Sequence, residues 1–256
     1  MINVGVFGAG GRMGAEVCDA VLADPELELV AAVDPGRVGT QVGGVTISSS
    51  ADALTDAGAD VAVDFTVVAA ARENLRWCAD HGVHAVVGTT GFSVDDLEDL
   101  RVRFDASQAN AVIAPNFAIG AVLMMRFAEL AAPWFETAEI IELHHDQKVD
   151  APSGTAMLTA ERMAAASSEW SADPTRDYVV DGARGATGPG GIHVHSVRLR
   201  GLVAHQEVLL GTTGQTLTIR HDSVERASFM PGVVLAVKQV SGRPGLTIGL
   251  EALLGL

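Results

Sequence analysis

The chain has 256 residues, enough for one large domain or two smaller ones. Hydrophobic residues make up 48% and charged residues 19%, which excludes wholesale disorder and provides for a sizeable core. A net charge of −15 excludes a nucleic-acid surface of the usual basic kind, so any anionic ligand must be met by a few well-placed groups.

The first half alternates apolar runs with helical patterns. Strands are predicted at Ile2 to Phe7, Leu27 to Val33, Asp60 to Phe65, His84 to Val87 and Ala111 to Ala114. Helices are predicted at Arg12 to Ala23, Ala69 to His81 and Val94 to Phe104. Continuous apolar strands separated by helices are the pattern of a parallel sheet covered on both faces. Cys18 and Cys78 fall in two of these helices and read as reduced thiols rather than a disulfide.

After Asn116 the rhythm changes. A long helix is predicted over Ala118 to Ala131, a strand over Glu139 to His144, and a helix from about Ser153 to Ala166. A Gly- and Pro-rich loop, Asp181 to Gly191, precedes three alternating segments: Ile192 to Leu199, Gln206 to Leu210 and Thr216 to Arg220. A last apolar helix, Val233 to Val240, resembles the first half. The expectation is a domain of residues 1–117 and 226–256 and a second of residues 118–225. The alternating strands carry apolar residues on two faces, so a homo-oligomer joined through the second domain is expected. No apolar run approaches the ~20 residues of a membrane span, and the N-terminus enters a strand pattern without a signal peptide. A cytoplasmic protein with no membrane or nucleic-acid partner is expected.

Directly after the first strand stands Gly8-Ala9-Gly10-Gly11-Arg12-Met13-Gly14, with Met13 in the last position of the usual Gly-x-Gly-x-x-Gly. Such a turn between strand and helix lets the backbone approach a pyrophosphate at the helix start. Asp34, about 20 residues past the turn, would accept hydrogen bonds from the adenosine ribose hydroxyls; the alternative is an acidic strand end facing water. Arg12 and Arg37 lie near enough in sequence to meet a 2′-phosphate, so either NADH or NADPH fits. Gly88-Thr89-Thr90-Gly91 and Ala114-Pro115-Asn116-Phe117 follow later strands, where they could border the nicotinamide ribose and ring or act simply as turns.

The segment from Glu142 to Ala156, Glu-Leu-His-His-Asp-Gln-Lys-Val-Asp-Ala-Pro-Ser-Gly-Thr-Ala, passes from strand through polar loop into helix. His144 and His145 can donate protons near neutral pH, and Lys148 supplies a fixed positive charge. Ser153, Gly154 and Thr155 open a helix whose first amides attract a carboxylate. Two histidines before Asp146 could also ligate a metal, but no second cluster of matching spacing accompanies them. His193 and His195, on one strand face, are compatible with metal without requiring it, and no metal is expected. A Ser153 nucleophile would need an elbow motif that is missing, so Ser153 reads as a helix cap.

His144 to Ala156 resembles the signature of the dihydrodipicolinate reductase (4-hydroxy-tetrahydrodipicolinate reductase) family. Gly11-Arg12-Met13-Gly14, Asp64-Phe65-Thr66, Gly88 to Gly91, Ala114 to Phe117, Gly191 to Arg198 and Gly201 to Gly214 are similar to its other motifs, in order, over nearly the whole chain. The resemblance implies an α/β fold: a Rossmann-type parallel-sheet domain beside an α+β domain with a mixed, tetramerising sheet. It implies reduction of 4-hydroxy-tetrahydrodipicolinate, a small dicarboxylate of lysine and diaminopimelate biosynthesis, with NADH or NADPH. His144 would be the proton donor and Lys148 its catalytic partner, with His145, Gly154 and Thr155 contacting substrate. Cofactor contacts would come from Gly8, Ala9, Gly10, Gly11, Arg12, Met13, Asp34, Gly88, Thr89, Thr90, Ala114, Pro115, Asn116 and Phe117. Another small-substrate dehydrogenase would share the first domain but not the His-His/Lys/Ser-Gly-Thr segment. A dinucleotide sensor without turnover would leave Lys148 and the paired histidines without a task.

Overall fold

The computed structural model describes all 256 residues. In chain order the first elements are β1 (Ile2–Phe7), α1 (Arg12–Ala23), β2 (Leu27–Val33), β3 (Gln41–Val42), β4 (Val45–Thr46) and α2 (Asp52–Asp56). Then come β5 (Val61–Asp64), α3 (Val68–His81), β6 (His84–Val87), α4 (Val94–Ala106), β7 (Ala111–Ile113) and α5 (Ile119–Ala131). β8 (Thr137–His144), α6 (Gly154–Ala166), β9 (Ala186–Thr187), β10 (His193–Arg198), β11 (Ala204–Thr212) and β12 (Gln215–Ser223) follow. The chain closes with α7 (Met230–Gln239), β13 (Leu246–Ile248) and α8 (Glu251–Leu254).

These elements form two compact units, one of Met1–Ile119 with Phe229–Leu256 and one of Gly120–Ser228. The first unit is built on a six-stranded sheet in the order β13-β7-β6-β5-β1-β2, every pairing parallel. All residues of β5 and β7 are buried, as expected of strands covered on both faces. Phe7, Leu54, Leu75, Leu100 and Phe104 fill its core. Burial pushes the Cys18 thiol up to about 12 and raises Cys78 as well, so both stay neutral.

The second unit carries a mixed sheet in the order β12-β11-β8-β10-β9. β8 and β10 are parallel, whereas β11 runs antiparallel to both β8 and β12. Alternate residues Ile140, Glu142, Gln206, Val208 and Leu210 are buried. α6 covers this face, with Gln206 Nε2 donating to Thr159 Oγ1 at 2.8 Å. No helix is long and apolar enough to cross a membrane.

Some structure was not expected from the sequence. The loop Asp181 to Gly191 contains β9, which pairs with β10, and a short 3-10 turn at Pro189–Gly191. The hairpin β3–β4, the short helices α2 and α8, and the edge strand β13 had no counterpart among the predicted elements. Two- and three-residue strands are too short to show a period of two; their pairing partners define them.

Candidate active site

In the first unit the parallel strands all end at one edge of the sheet. Gly8 follows β1, Asp34 follows β2, Phe65 follows β5, Gly88 follows β6 and Ala114 follows β7. Strand order reverses at β1, which lies between β2 and β5; ligands of open parallel sheets bind at such a switch point, beyond the carboxyl ends. The glycine turn is built to stay thin. Gly8 has φ +68°, and its carbonyl accepts from the Gly11 amide at 2.9 Å. A Cβ on Gly14 would lie 2.0 Å from that same carbonyl oxygen, so only glycine lets α1 approach the turn so closely. Gly11 is the N-cap of α1, and no side chain caps the helix. First-turn amides of a helix have no intrahelical acceptor, so this cradle fits a pyrophosphate.

Asp34 is tied into the turn rather than simply facing water. Its Oδ2 accepts from the Gly10 amide at 3.0 Å and its Oδ1 from the Gly36 amide at 2.9 Å. A carboxylate has about four acceptor sites, leaving capacity for ribose hydroxyls. Arg37 packs directly against Gly10, and both Arg12 and Arg37 are exposed. Asp64, buried, accepts from the Thr66 amide and hydroxyl, both at 2.7 Å, and from Asn74 Nδ2 at 2.7 Å. Thr89 Oγ1 in turn donates to the Thr66 carbonyl at 3.2 Å, which joins the β5 and β6 loops. Thr90 is exposed. Ala114 and Phe117 are buried, so any ligand contact there runs through backbone or through Pro115 and Asn116. Phe117 packs on Phe65 with ring centroids 5.6 Å apart.

In the second unit the end of β8, the following loop and the start of α6 meet around one carboxylate. Glu142 is fully buried two residues before His144, on the same strand face. Its Oε2 lies 2.5 Å from His144 Nδ1 and 2.8 Å from Arg198 Nη1. Its Oε1 accepts from Arg198 Nη2 at 2.8 Å and from the Ser153 amide at 3.1 Å. Burial pushes the Glu142 pKa up, but hydrogen bonds from His144, Arg198 and Ser196 outweigh it and hold the carboxyl at about 2. Ser153 caps α6, its Oγ accepting from the Ala156 amide at 3.2 Å. The first turn of α6 carries no acidic side chain, and a Cβ on Gly154 would meet nothing within 4 Å.

Lys148 is turned onto its own loop. Its Nζ donates to both oxygens of Asp150 at 2.8 Å, which lowers the Asp150 pKa. Arg198 Nη2 donates to the Asp150 carbonyl at 2.6 Å and so anchors the same loop. His145 Nδ1 accepts from the Gln147 amide at 3.2 Å. His193 and His195 point to carboxylates: Nε2 of His193 lies 3.0 Å from Asp173, and Nε2 of His195 lies 2.6 Å from Glu139. The structure therefore brings together His144, the backbone amide of Ser153 and the side chains of two residues to which the sequence had assigned no role, Glu142 and Arg198.

Residues 2–117 match the family described as dihydrodipicolinate reductase, N-terminus, and residues 120–254 match its C-terminus. The chain belongs to the dihydrodipicolinate reductase family. It is 54% identical over 260 residues to the 4-hydroxy-tetrahydrodipicolinate reductase of Cutibacterium acnes, covering 100% of both chains. The corresponding reductase of Nocardia farcinica is 52% identical over 259 residues, covering 100% of this chain and 99% of the other. Among solved structures, a dipicolinate-bound dihydrodipicolinate reductase from Paenisporosarcina superposes with a TM-score of 0.88 at 41% identity. That match covers 98% of this chain and 99% of the other.

For this dihydrodipicolinate reductase family member, a sequence signal for Glu142 did exist. A period of two places residues 142 and 144 on one strand face, and an acidic residue there needs donors if buried. Arg198 had no comparable signal. Only the parallel register of β8 and β10, which sets Arg198 opposite His144, brings it to the site.

Proposed function

We propose that this chain, an NAD(P)H-dependent oxidoreductase by its family, reduces 4-hydroxy-tetrahydrodipicolinate to tetrahydrodipicolinate in lysine and diaminopimelate biosynthesis. In sum, the substrate gains a hydride and a proton and loses water. The carrying observation is 54% identity to a 4-hydroxy-tetrahydrodipicolinate reductase across the full length of both chains. The dipicolinate bound to the Paenisporosarcina relative supports a cyclic dicarboxylate as the ligand class.

The Gly8 to Gly14 turn would hold the pyrophosphate of the dinucleotide and Asp34 its adenosine ribose. The reduced nicotinamide, when bound, supplies the hydride. The remaining chemistry falls to the second unit. Loss of the substrate's hydroxyl with a neighbouring hydrogen, as water, would leave a cyclic imine conjugated to a carbon–carbon double bond, which accepts hydride at the distal carbon and becomes an enamine that must gain a proton. His144 would deliver that proton. Lys148, now paired with Asp150, would exchange this partner for the substrate and stabilise charge as it develops. His145 and the α6 start at Gly154 and Thr155 would receive substrate carboxylates, where helix amides favour anions.

The test is oxidation of NADH and of NADPH, followed by absorbance, on mixing with freshly generated substrate. Turnover with at least one cofactor is expected, and its absence with both would refute the reading. Lys148→Ala should keep the fold and dinucleotide binding while losing a hundredfold or more in turnover, on the order expected for a charge acting in the transition state.

A further inference from the structure

His144 is gripped by a carboxylate that no water reaches. One oxygen of Glu142 accepts from His144 Nδ1 and Arg198 Nη1 and the other from Arg198 Nη2 and the Ser153 amide, and Ser196 also hydrogen-bonds this carboxylate. A lone buried carboxylate is costly; here the bidentate Arg198 guanidinium neutralises it. An ionised carboxylate can only accept hydrogen bonds. The nitrogen facing it, His144 Nδ1, must therefore carry a proton.

We propose that Glu142 is the positioning residue of this site: it locks His144 in the tautomer protonated on Nδ1, making Nε2 the atom that delivers the proton, and ties that histidine to the start of α6 at Ser153. The inference rests on the reduction proposed above. In the delivering step the Nε2–H bond breaks, a C–H bond forms on the enamine carbon, and the N–H electron pair stays on Nε2. The ring loses its positive charge and is left neutral with Nδ1–H still on Glu142. It is thus already in the tautomer that Glu142 requires, and water can reprotonate Nε2 without a ring flip. Around this pair the other charged groups are Arg198 from β10 and the Lys148–Asp150 ion pair of the loop, while β11 sets the uncharged Ala204 opposite His144. Because the same carboxylate accepts from the Ser153 amide, proton donor and helix start are held in fixed relation by one side chain.

Two measurements test this. In the wild-type protein at a pH where His144 is neutral, 15N NMR should show Nδ1 protonated and Nε2 bare, the reverse of the tautomer that free histidine prefers in water. An Nε2–H tautomer would overturn the proposal whatever the substrate proves to be. Second, Glu142→Gln should lower kcat at least tenfold with dinucleotide affinity unchanged, bounded by the loss on removing the imidazole, on the order of 10²–10⁴. In a His144→Ala background the same substitution should change kcat less than about twofold, because a residue acting through His144 has nothing left to act on. Losses that multiply in the double variant would make Glu142 a structural residue and end the proposal. If Glu142→Gln does not fold, the wild-type tautomer still decides. A wild-type protein without turnover but with the Nδ1–H tautomer would fail the proposed reaction and not this assignment.

Discussion

Gly14→Ala isolates the role of the thin glycine turn. A Cβ built on Gly14 lies 2.0 Å from the Gly8 carbonyl oxygen, 2.7 Å from the Gly8 carbonyl carbon and 2.9 Å from Ala9 Cα. Ordinary contact begins at 3.4 Å, so turn and helix must part by 3.4 − 2.0 = 1.4 Å. Every atom in the way is backbone, and no rotamer change can relieve the clash. Gly14 shares its face of α1 with buried Val17, Cys18 and Val21, so the helix cannot retreat from the turn without pulling these side chains out of their packing. Overpacking of this kind costs about 1–3 kcal/mol of stability. A shift of that size also exceeds the tolerance of a hydrogen bond. Losing one charge-assisted bond from the turn to a pyrophosphate costs about 1.5–3 kcal/mol, roughly a tenfold to hundredfold rise in Kd. Fluorescence titration with NADH and NADPH, beside a melting curve, should show both dinucleotides weakened at least tenfold in a protein that still folds. Gly242→Ala is the control: its Cβ meets nothing within 4 Å, so Tm and affinity should not move. Wild-type affinity in folded Gly14→Ala would refute the assignment of the turn to the dinucleotide.

Three further outcomes are expected. Asp34→Ala should weaken NADH about tenfold and NADPH less, because the carboxylate would bind ribose hydroxyls and repel a 2′-phosphate; equal losses would leave Asp34 only a brace for the Gly10 and Gly36 amides. Glu142 falls from its ordinary 4.5 to about 2 in the folded protein, so it contributes stability above pH 4.5 that is lost as pH drops through 2. Wild type should thus exceed Glu142→Gln by on the order of 3 kcal/mol at neutral pH, with the Tm gap closing on acidification; a gap independent of pH would remove charge as the cause. Finally, we propose that four copies join through the second unit, where Phe127, Leu130, Trp134 and Leu217 are exposed apolar side chains; sedimentation as a monomer at micromolar concentration would refute this.

The sequence by itself determined the strands and helices that carry their own period. β1, α1, β2 and β6 have the ends expected from their apolar patterns, since a strand buried on both faces or an amphipathic helix writes its burial into consecutive residues. The same holds for the glycine turn after β1 and for the helix cap at Ser153, where local backbone geometry dictates residue type. What the sequence left open depends on strand register and on where side chains turn. It marked His144 and Lys148 but not that Lys148 binds Asp150, nor that Asp34 is held by the Gly10 amide. β9 and β13 exist only because β10 and β7 offer them partners. Arg198 lies 54 residues beyond His144 in the chain, and only the parallel pairing of β8 with β10 brings its guanidinium onto Glu142. Such a pairing is decided by the assembled sheet and by the cost of leaving a buried carboxylate without donors, and neither has a local signature.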